Sequence, residues 1–351
     1  MKKVLVVGAG RMGGVIAYAL DKLGYQVFKY DSDPTKCDEQ FKDMEFYEVD
    51  LTGYNAVISS ATYTANLEIA KQSIDAGVPY FDLGGHVGTS KEIQEFAKAN
   101  NGLVFTDLGL APGLVNILGE FALDDLERMG EKPVSIDLRV GGLPSFYADM
   151  GLLKYNLTWS VEGLINEYLD KCKILWDKEV QEVDGLSGLE EIDWGDNLKF
   201  EAFHTSGGLS HTLDSAIARG LSDARYKTIR YKGHAQQVRF LLEACDGDRE
   251  LLVKLIKNCS VSHNQDSVWV YVKAKGKYTT IEKRYMIPYS KDFTAMQRAT
   301  AFSAAAVVAN IVSQTSVGFL TTFLGDSNVL SYRSVNKENF LRNMEKLGIK
   351  L

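Results

Sequence analysis

The chain opens on an unbroken apolar run, Val4-Leu5-Val6-Val7, the pattern of a strand buried on both faces. The run breaks into Gly8-Ala9-Gly10-Arg11-Met12-Gly13, after which apolar residues recur at helical spacing (Met12, Ile16, Ala19, Leu20, Leu23) up to Gly24. A second strand, Tyr25 to Tyr30, ends in Asp31. The alternation continues with strands at 55–60, 78–83 and 102–106 and helices at 65–76 and 89–99. Strands separated by helices of this length predict right-handed crossovers and a parallel sheet.

From about Val134 the period changes. Strands predicted at 134–140, 198–204, 227–232, 268–274 and 278–288 are longer and alternate apolar with polar positions. That is the pattern of an open, largely antiparallel sheet. A helix from Thr294 to Ser313 is rich in small residues (Ala299, Ala301, Ser303 to Ala306, Ala309), which favours close helix packing. The expected fold is therefore α/β: an N-terminal Rossmann parallel sheet over residues 1–112, joined by 293–351 returning to pack on it. A second α+β domain with a largely antiparallel open sheet spans 113–292.

The glycine turn adds the first chemistry. Gly8 suits the tight turn, Gly10 a backbone approached by pyrophosphate, and Gly13 close packing of helix on strand. The following helix N-terminus offers N–H donors and a positive dipole end to phosphates. Arg11 and Met12 complete that loop, and Asp31 stands where a carboxylate accepts hydrogen bonds from a ribose. A carboxylate there repels a 2′-phosphate, so NAD is expected over NADP. Ala61, Thr62 and Tyr63 follow the third strand, on the side where ligands sit in such sheets.

Charge and composition exclude more than they specify. A net charge of −7 gives no electrostatic reason to expect nucleic-acid binding. Four scattered cysteines form no C-x-x-C pair and fit a reducing cytoplasm rather than a disulfide framework. No His/Cys/Asp/Glu group has metal-ligand spacing, so no metal is expected. The N-terminal apolar stretch reads as the first strand, not a signal peptide. The stretch 299–312 is too short to span a bilayer.

Several later phrases are more specific. They are Asp107-Leu108-Gly109-Leu110-Ala111-Pro112-Gly113, Val140-Gly141-Gly142-Leu143-Pro144, the run from Tyr155 to Tyr168, Glu201 to Gly208, and Thr228 to His234. In this order, behind the dinucleotide turn, they resemble the saccharopine dehydrogenase-like family, closest to its lysine 6-dehydrogenase branch. The resemblance implies a Rossmann domain, a substrate-binding and dimerisation domain, a homodimer, and hydride exchange at an amine-bearing carbon. The saccharopine-forming branch carries an aspartate where this chain has Ala111 and a cysteine where it has Val140. It also carries an arginine near Thr205 to Gly208, and the lack of one here implies a smaller substrate such as free lysine.

Oxidation of a lysine ε-carbon needs the neutral amine. With a free pKa of about 10.4, only about one molecule in a thousand is neutral at pH 7.4, a cost of roughly 4 kcal/mol. A base, or an alkaline optimum, is expected, with a cation for the α-carboxylate. Arg230 is the candidate clamp, because guanidinium binds carboxylate in a planar, bidentate way; a structural strand arginine is the plainer reading. Glu162 reads as a residue that binds the amine or accepts its proton, or as an ordinary acidic residue in a first helical turn. Tyr155 reads as a pocket or core tyrosine, and His86, after Gly84-Gly85, as the base candidate by position. Thr205 and His211, with His204, bracket a glycine-rich turn suited to closing over substrate, and Tyr63 is placed to touch a ligand. Two rival functions stay open: a reductase joining an aldehyde and an amino compound, and a non-catalytic dinucleotide-binding sensor.

Overall fold

The computed structural model describes residues 1–195, 197–314 and 328–351. The chain divides into two compact units, Met1–Ile117 with Ala299–Leu351, and Leu118–Arg298.

In the first unit five parallel strands, β1 (Lys3–Val7), β2 (Gln26–Tyr30), β3 (Ala56–Ser59), β4 (Tyr80–Asp82) and β5 (Val104–Phe105), form a sheet in the order β2-β1-β3-β4-β5. Val4 to Val7 and Ala56 to Ser59 are buried throughout, the consequence of helices on both faces. Helix α1 (Gly13–Lys22) connects β1 to β2, α2 (Tyr63–Asp75) connects β3 to β4, and α3 (Val87–Ala99) connects β4 to β5. The strand order reverses beside β1, so the end of that strand lies at the switch point where such sheets receive ligands. This is the Rossmann arrangement read from the pattern.

The small-residue helix is less regular than its sequence suggests. A capped turn at Ala295–Gln297 runs into a π-helical stretch, Arg298–Phe302, before regular helix at Ser303–Gln314. That last segment packs on α1 and Tyr25 Oη donates to Ala309 O at 3.0 Å, while Phe302, closing the π-helical stretch, stacks on Tyr18 of α1. Residues 315–327 of the returning segment lie outside the described residues. Beyond them Val329 bridges to Val104, and Tyr332 Oη donates to Asp107 O at 2.8 Å.

The second unit is built on an eight-stranded sheet. Its strands are β6 (Pro133–Pro144), β7 (Cys172–Trp176), β8 (Glu179–Val183), β9 (Glu190–Gly195), β10 (Leu198–Phe203), β11 (Asp223–Tyr231), β12 (Asp266–Gly276) and β13 (Thr280–Pro288). The order is β13-β12-β6-β11-β10-β9, with β7 joining β11 to β8; among the described residues only β6 and β11 pair in parallel in this sheet. The sheet is largely antiparallel, as expected, but β7, β8 and β9 were not foreseen. Glu179–Val183 is mostly exposed, so the alternation that betrays a half-buried strand is missing there.

Alternation in the central strands sorts the two faces. Ile229 and Tyr231 join Phe200, Trp269 and Tyr271 in an aromatic cluster on one face. Ala224, Tyr226, Thr228 and Arg230 point the other way, as the period of two requires. On that side Phe203 packs with α5 (Val161–Leu169), α7 (His234–Cys245) and α8 (Arg249–Cys259). Among the described residues no helix is long and apolar enough to cross a membrane.

Gly141, in the middle of β6, tests this packing. A Cβ there would stand 2.5 Å from Ile229 O and 2.8 Å from Ile229 Cβ, both on β11. Gly141→Ala should destabilise the protein by about 1–3 kcal/mol, because neither atom can rotate away. An unchanged midpoint in urea unfolding would refute the close approach of the two strands.

Candidate functional site

The glycine turn of the first unit follows β1. Gly8 has φ +87, and a Cβ on it would lie 2.6 Å from Ala61 N; one on Gly13 would lie 1.9 Å from Gly8 O. Packing of the chain on itself therefore accounts for both glycines. Gly10 is different: a Cβ there would meet nothing within 4 Å. Its missing side chain leaves open space over the turn, which fits the close approach of a pyrophosphate.

Arg11 is exposed and Met12, half-buried, leads into α1. Asp31 lies just past β2, where its Oδ1 accepts the Asp33 N–H at 2.9 Å and its backbone is bonded twice by Cys37 Sγ. An open cavity of about 490 Å³ borders the turn, lined by Ala9, Gly14, Tyr18, Lys29 and Lys36 among others. The two lysines are paired with Asp38 and Asp33. Ala61 N–H is held by Ser59 Oγ at 3.3 Å, and Thr62 caps α2. These residues lie together around the turn, an arrangement that fits a dinucleotide.

Tyr63, the first residue of α2, is 40% exposed and stacks on the His86 ring with centroids 5.2 Å apart. His86 is the N-cap of α3: its Nδ1 accepts the Thr89 N–H at 3.2 Å. In the neutral ring this places the proton on Nε2, a donor rather than an acceptor. The geometry gives His86 a capping task and weakens it as a base.

The more unusual group at this end of the sheet is a pair of acids. Asp82 closes β4, and its Oδ1 accepts the N–H groups of Gly84 at 2.8 Å and Asp107 at 3.1 Å. Asp107 Oδ1 accepts from Ser90 Oγ at 2.7 Å. Asp82 Oδ2 and Tyr80 Oη are both buried without a hydrogen bond. Burial first, and then the charge of Asp107, push the Asp82 carboxyl up to about 7.

In the second unit, Arg230 is 4% exposed. Its guanidinium lies 4.7 Å from the centroid of the Tyr155 ring; Nη1 donates to Ile229 O at 2.9 Å, and Nε stands 3.4 Å from Tyr168 Oη. Tyr168 Oη in turn meets His234 Nε2 at 2.9 Å, and Tyr155 Oη accepts from Trp159 Nε1 at 2.9 Å. Among the described residues no carboxylate comes within 4 Å of Arg230. Burial opposes its charge, but the tyrosine hydroxyls and Glu167 outweigh that and raise its pKa. Burial, helped by the Arg230 charge, pushes His234 down to about 3, so that ring is neutral.

Glu167, on α5, is half-buried and faces the same group. Burial lifts its carboxyl to about 8, against the pull of Arg230. Tyr226 and the Thr228–Thr205 hydroxyl pair (2.7 Å) extend the polar neighbourhood along β11. Arg230, Tyr155 and Thr205 are thus brought together. Glu162 is not with them: it is an exposed first-turn residue of α5, held by Ser160 Oγ at 3.0 Å and 3.8 Å from Lys257. His211 is buried at the start of α6 (His211–Arg219), the helix that carries Ser215 and Arg219 against Glu120.

Residues 109–338 match the family described as saccharopine dehydrogenase C-terminal domain. The chain belongs to that family. It is 25% identical over 256 residues to the mitochondrial alpha-aminoadipic semialdehyde synthase of Mus musculus, and 24% identical over 257 residues to that of Bos taurus. Each match covers 67% of this chain and 27% of the relative, so the chain spans about a quarter of those proteins. Apo saccharopine dehydrogenase (L-Glu forming) from Saccharomyces cerevisiae has the same fold, with a TM-score of 0.70 at 15% identity over 99% of this chain and 98% of that one. So has homospermidine synthase from Legionella pneumophila in complex with NAD, with a TM-score of 0.66 at 13% identity over 98% and 89%.

Within this saccharopine dehydrogenase-type chain, sequence reasoning missed Glu167, Tyr168, His234 and the Asp82–Asp107 pair. Asp82 carried a usable signal, an acid closing a buried strand before Gly84-Gly85.

Asp82 should make stability depend on pH. In the unfolded chain it titrates near its ordinary value of about 3.9. Between there and about 7 the folded state holds a proton that the unfolded state has released. Its contribution to stability is therefore full at acid pH and is lost as pH rises through 7, at up to about 1.4 kcal/mol per pH unit. Asp82→Asn removes the titration, and its melting temperature should fall less than wild type between pH 5 and 8. Parallel profiles for the two proteins would show that Asp82 is ionised throughout.

Proposed function

We propose that the protein is an NAD-dependent amino-acid dehydrogenase that oxidises the ε-carbon of L-lysine. The observation that carries this reading is Arg230, a buried guanidinium with no carboxylate within 4 Å among the described residues. A buried charge without a counter-ion is costly, and a ligand carboxylate would compensate it. Stacking on Tyr155 and the bond to Ile229 O hold the fork still, so little ordering entropy is lost on binding.

NAD, when bound at the Gly8–Gly13 turn, supplies the hydride acceptor, and Asp31 supports NAD over NADP through its free carboxylate edge. Loss of hydride from the ε-carbon of a neutral amine leaves an iminium cation, which water converts to the semialdehyde with release of ammonium. Neither of the two base candidates read from the sequence is arranged for the amine: His86 Nδ1 is occupied and Glu162 is exposed. Burial raises the Tyr155 phenol, with Arg230 opposing it. On this reading the amine is neutralised chiefly by solvent pH.

Turnover of L-lysine with NAD should rise about tenfold per pH unit between pH 7.5 and 9.5, following the neutral amine. It is read from the absorbance of reduced nicotinamide, with saccharopine and NADP in parallel wells. Turnover of saccharopine alone would move the protein to the secondary-amine branch of the chemistry. Arg230→Ala and Arg230→Lys should each raise KM for lysine by at least about thirtyfold while NAD affinity holds, since lysine cannot supply the planar fork. Asp31→Ala should weaken NAD and spare NADP.

A further inference from the structure

Three neighbouring loops leave the carboxyl ends of β3, β4 and β5, the edge where sheets of this type receive ligands. The first carries Tyr63 and the second His86, whose rings stack. The second and third are joined by one residue. Asp82 is 1% exposed, and its Oδ1 accepts N–H groups from both loops, Gly84 at 2.8 Å and Asp107 at 3.1 Å. Its carbonyl accepts the Leu108 N–H at 2.9 Å. Strand β5 stops at Phe105, paired with Phe81, so the ladder has ended where these bonds begin.

The surroundings leave little room for another arrangement. Gly84 and Gly85 have φ +78 and +118, and a Cβ on Gly84 would lie 2.5 Å from Asp107 Oδ1. A Cβ on Gly85 would lie 3.4 Å from Tyr63 Cβ. Asp107 Oδ1 is itself held by Ser90 Oγ of α3 at 2.7 Å. The place of His86 and Tyr63 therefore traces back, through two glycines, to one oxygen of Asp82.

What Asp82 supplies is an acceptor rather than a charge. The groups facing its carboxyl are Tyr80 on β4, Ser59 opposite it on β3, and Asp107. Among the described residues it has no ion pair, and its Oδ2 is buried without a hydrogen bond. Burial, and then the Asp107 charge, favour the neutral acid below about pH 7. A neutral acid keeps a carbonyl oxygen for the two N–H groups, and so does an asparagine.

We propose that Asp82 is a positioning residue for the dinucleotide: one oxygen clasps the loops after β4 and β5 and so sets His86, with Tyr63 stacked on it, for the bound cofactor. Buried as it is, Asp82 acts through the loops and touches no ligand. The assignment rests on the NAD reading only for the identity of that ligand. The clasp belongs to the chain with or without it.

The test uses the full chain at pH 6.5. NAD binding is measured by calorimetry, and amide exchange of residues 83–90 and 107–113 is measured without cofactor. Asp82→Ala leaves two N–H groups without their acceptor. It should speed exchange in both loops by at least about tenfold and weaken NAD by about tenfold or more. Asp82→Asn should restore most of both. Gly141→Ala, in the other unit, lowers stability without touching the loops and should leave both readouts near wild type. Thermal melts check folding; if Asp82→Ala does not fold, Asp82→Ser, too short to reach both N–H groups, takes its place.

Unchanged exchange in Asp82→Ala overturns the clasp. Faster exchange with NAD affinity intact overturns the positioning role. A loss in Asp82→Asn as large as in Asp82→Ala makes charge the requirement, and an equal loss in Gly141→Ala makes it general instability; either overturns the proposal. Failure of wild type to bind NAD rejects the dinucleotide reading, while exchange still decides the clasp.

Discussion

The second unit is organised around a guanidinium that cannot move. Arg230 occupies the central strand of the sheet and points to the face covered by α5 and α7. Each restraint on it has its own support. Tyr155 is fixed by Trp159, Tyr168 by His234, and His234 by Leu153 O at 2.8 Å. The chain of contacts ends on backbone, so the arginine is held by the fold rather than by a counter-ion. Charge is stabilised by ring faces and hydroxyls, and its coordination is left incomplete. That is an expensive way to build a core and a sensible way to build a receptor.

The first unit separates packing from function in a similar way. Gly8 and Gly13 are demanded by atoms of the chain itself, whereas nothing in the chain demands Gly10. A residue whose small size serves no internal contact points to an external one. Asp31 is also partly used by the chain itself, its Oδ1 shaping its own turn. The turn is ordered by the chain itself, which would limit the cost of ordering it around a ligand.

Much of this was legible in the sequence because the relevant signals are local. The switch from buried apolar runs to alternating strands marked both sheets, and the glycine turn with its acid marked the end of β1 where such sheets receive ligands. The exposed strand β8 gave no such signal, because it buries almost nothing, whereas β9 alternates buried Ile192 and half-buried Trp194 with acidic residues, a short signal that was passed over. Helix α5 shows where local reading stops. Its buried stripe is Val161, Leu164, Ile165 and Tyr168. Glu162 and Glu167 flank that stripe on opposite sides, each about 110° from its centre at 100° per residue. Periodicity cannot choose between them. Only the direction in which the helix lies on the sheet does, and it turns Glu167 toward Arg230 and Glu162 toward solvent.

That choice changes the chemistry expected of the protein. With Glu162 at the surface and His86 committed to a cap, neither is arranged to take a proton from an amine. Glu167, lifted to about 8, is ionised above that pH, where a lysine amine also begins to lose its proton. A cation brought near Glu167 would favour its charged form, so binding there and proton release would be linked.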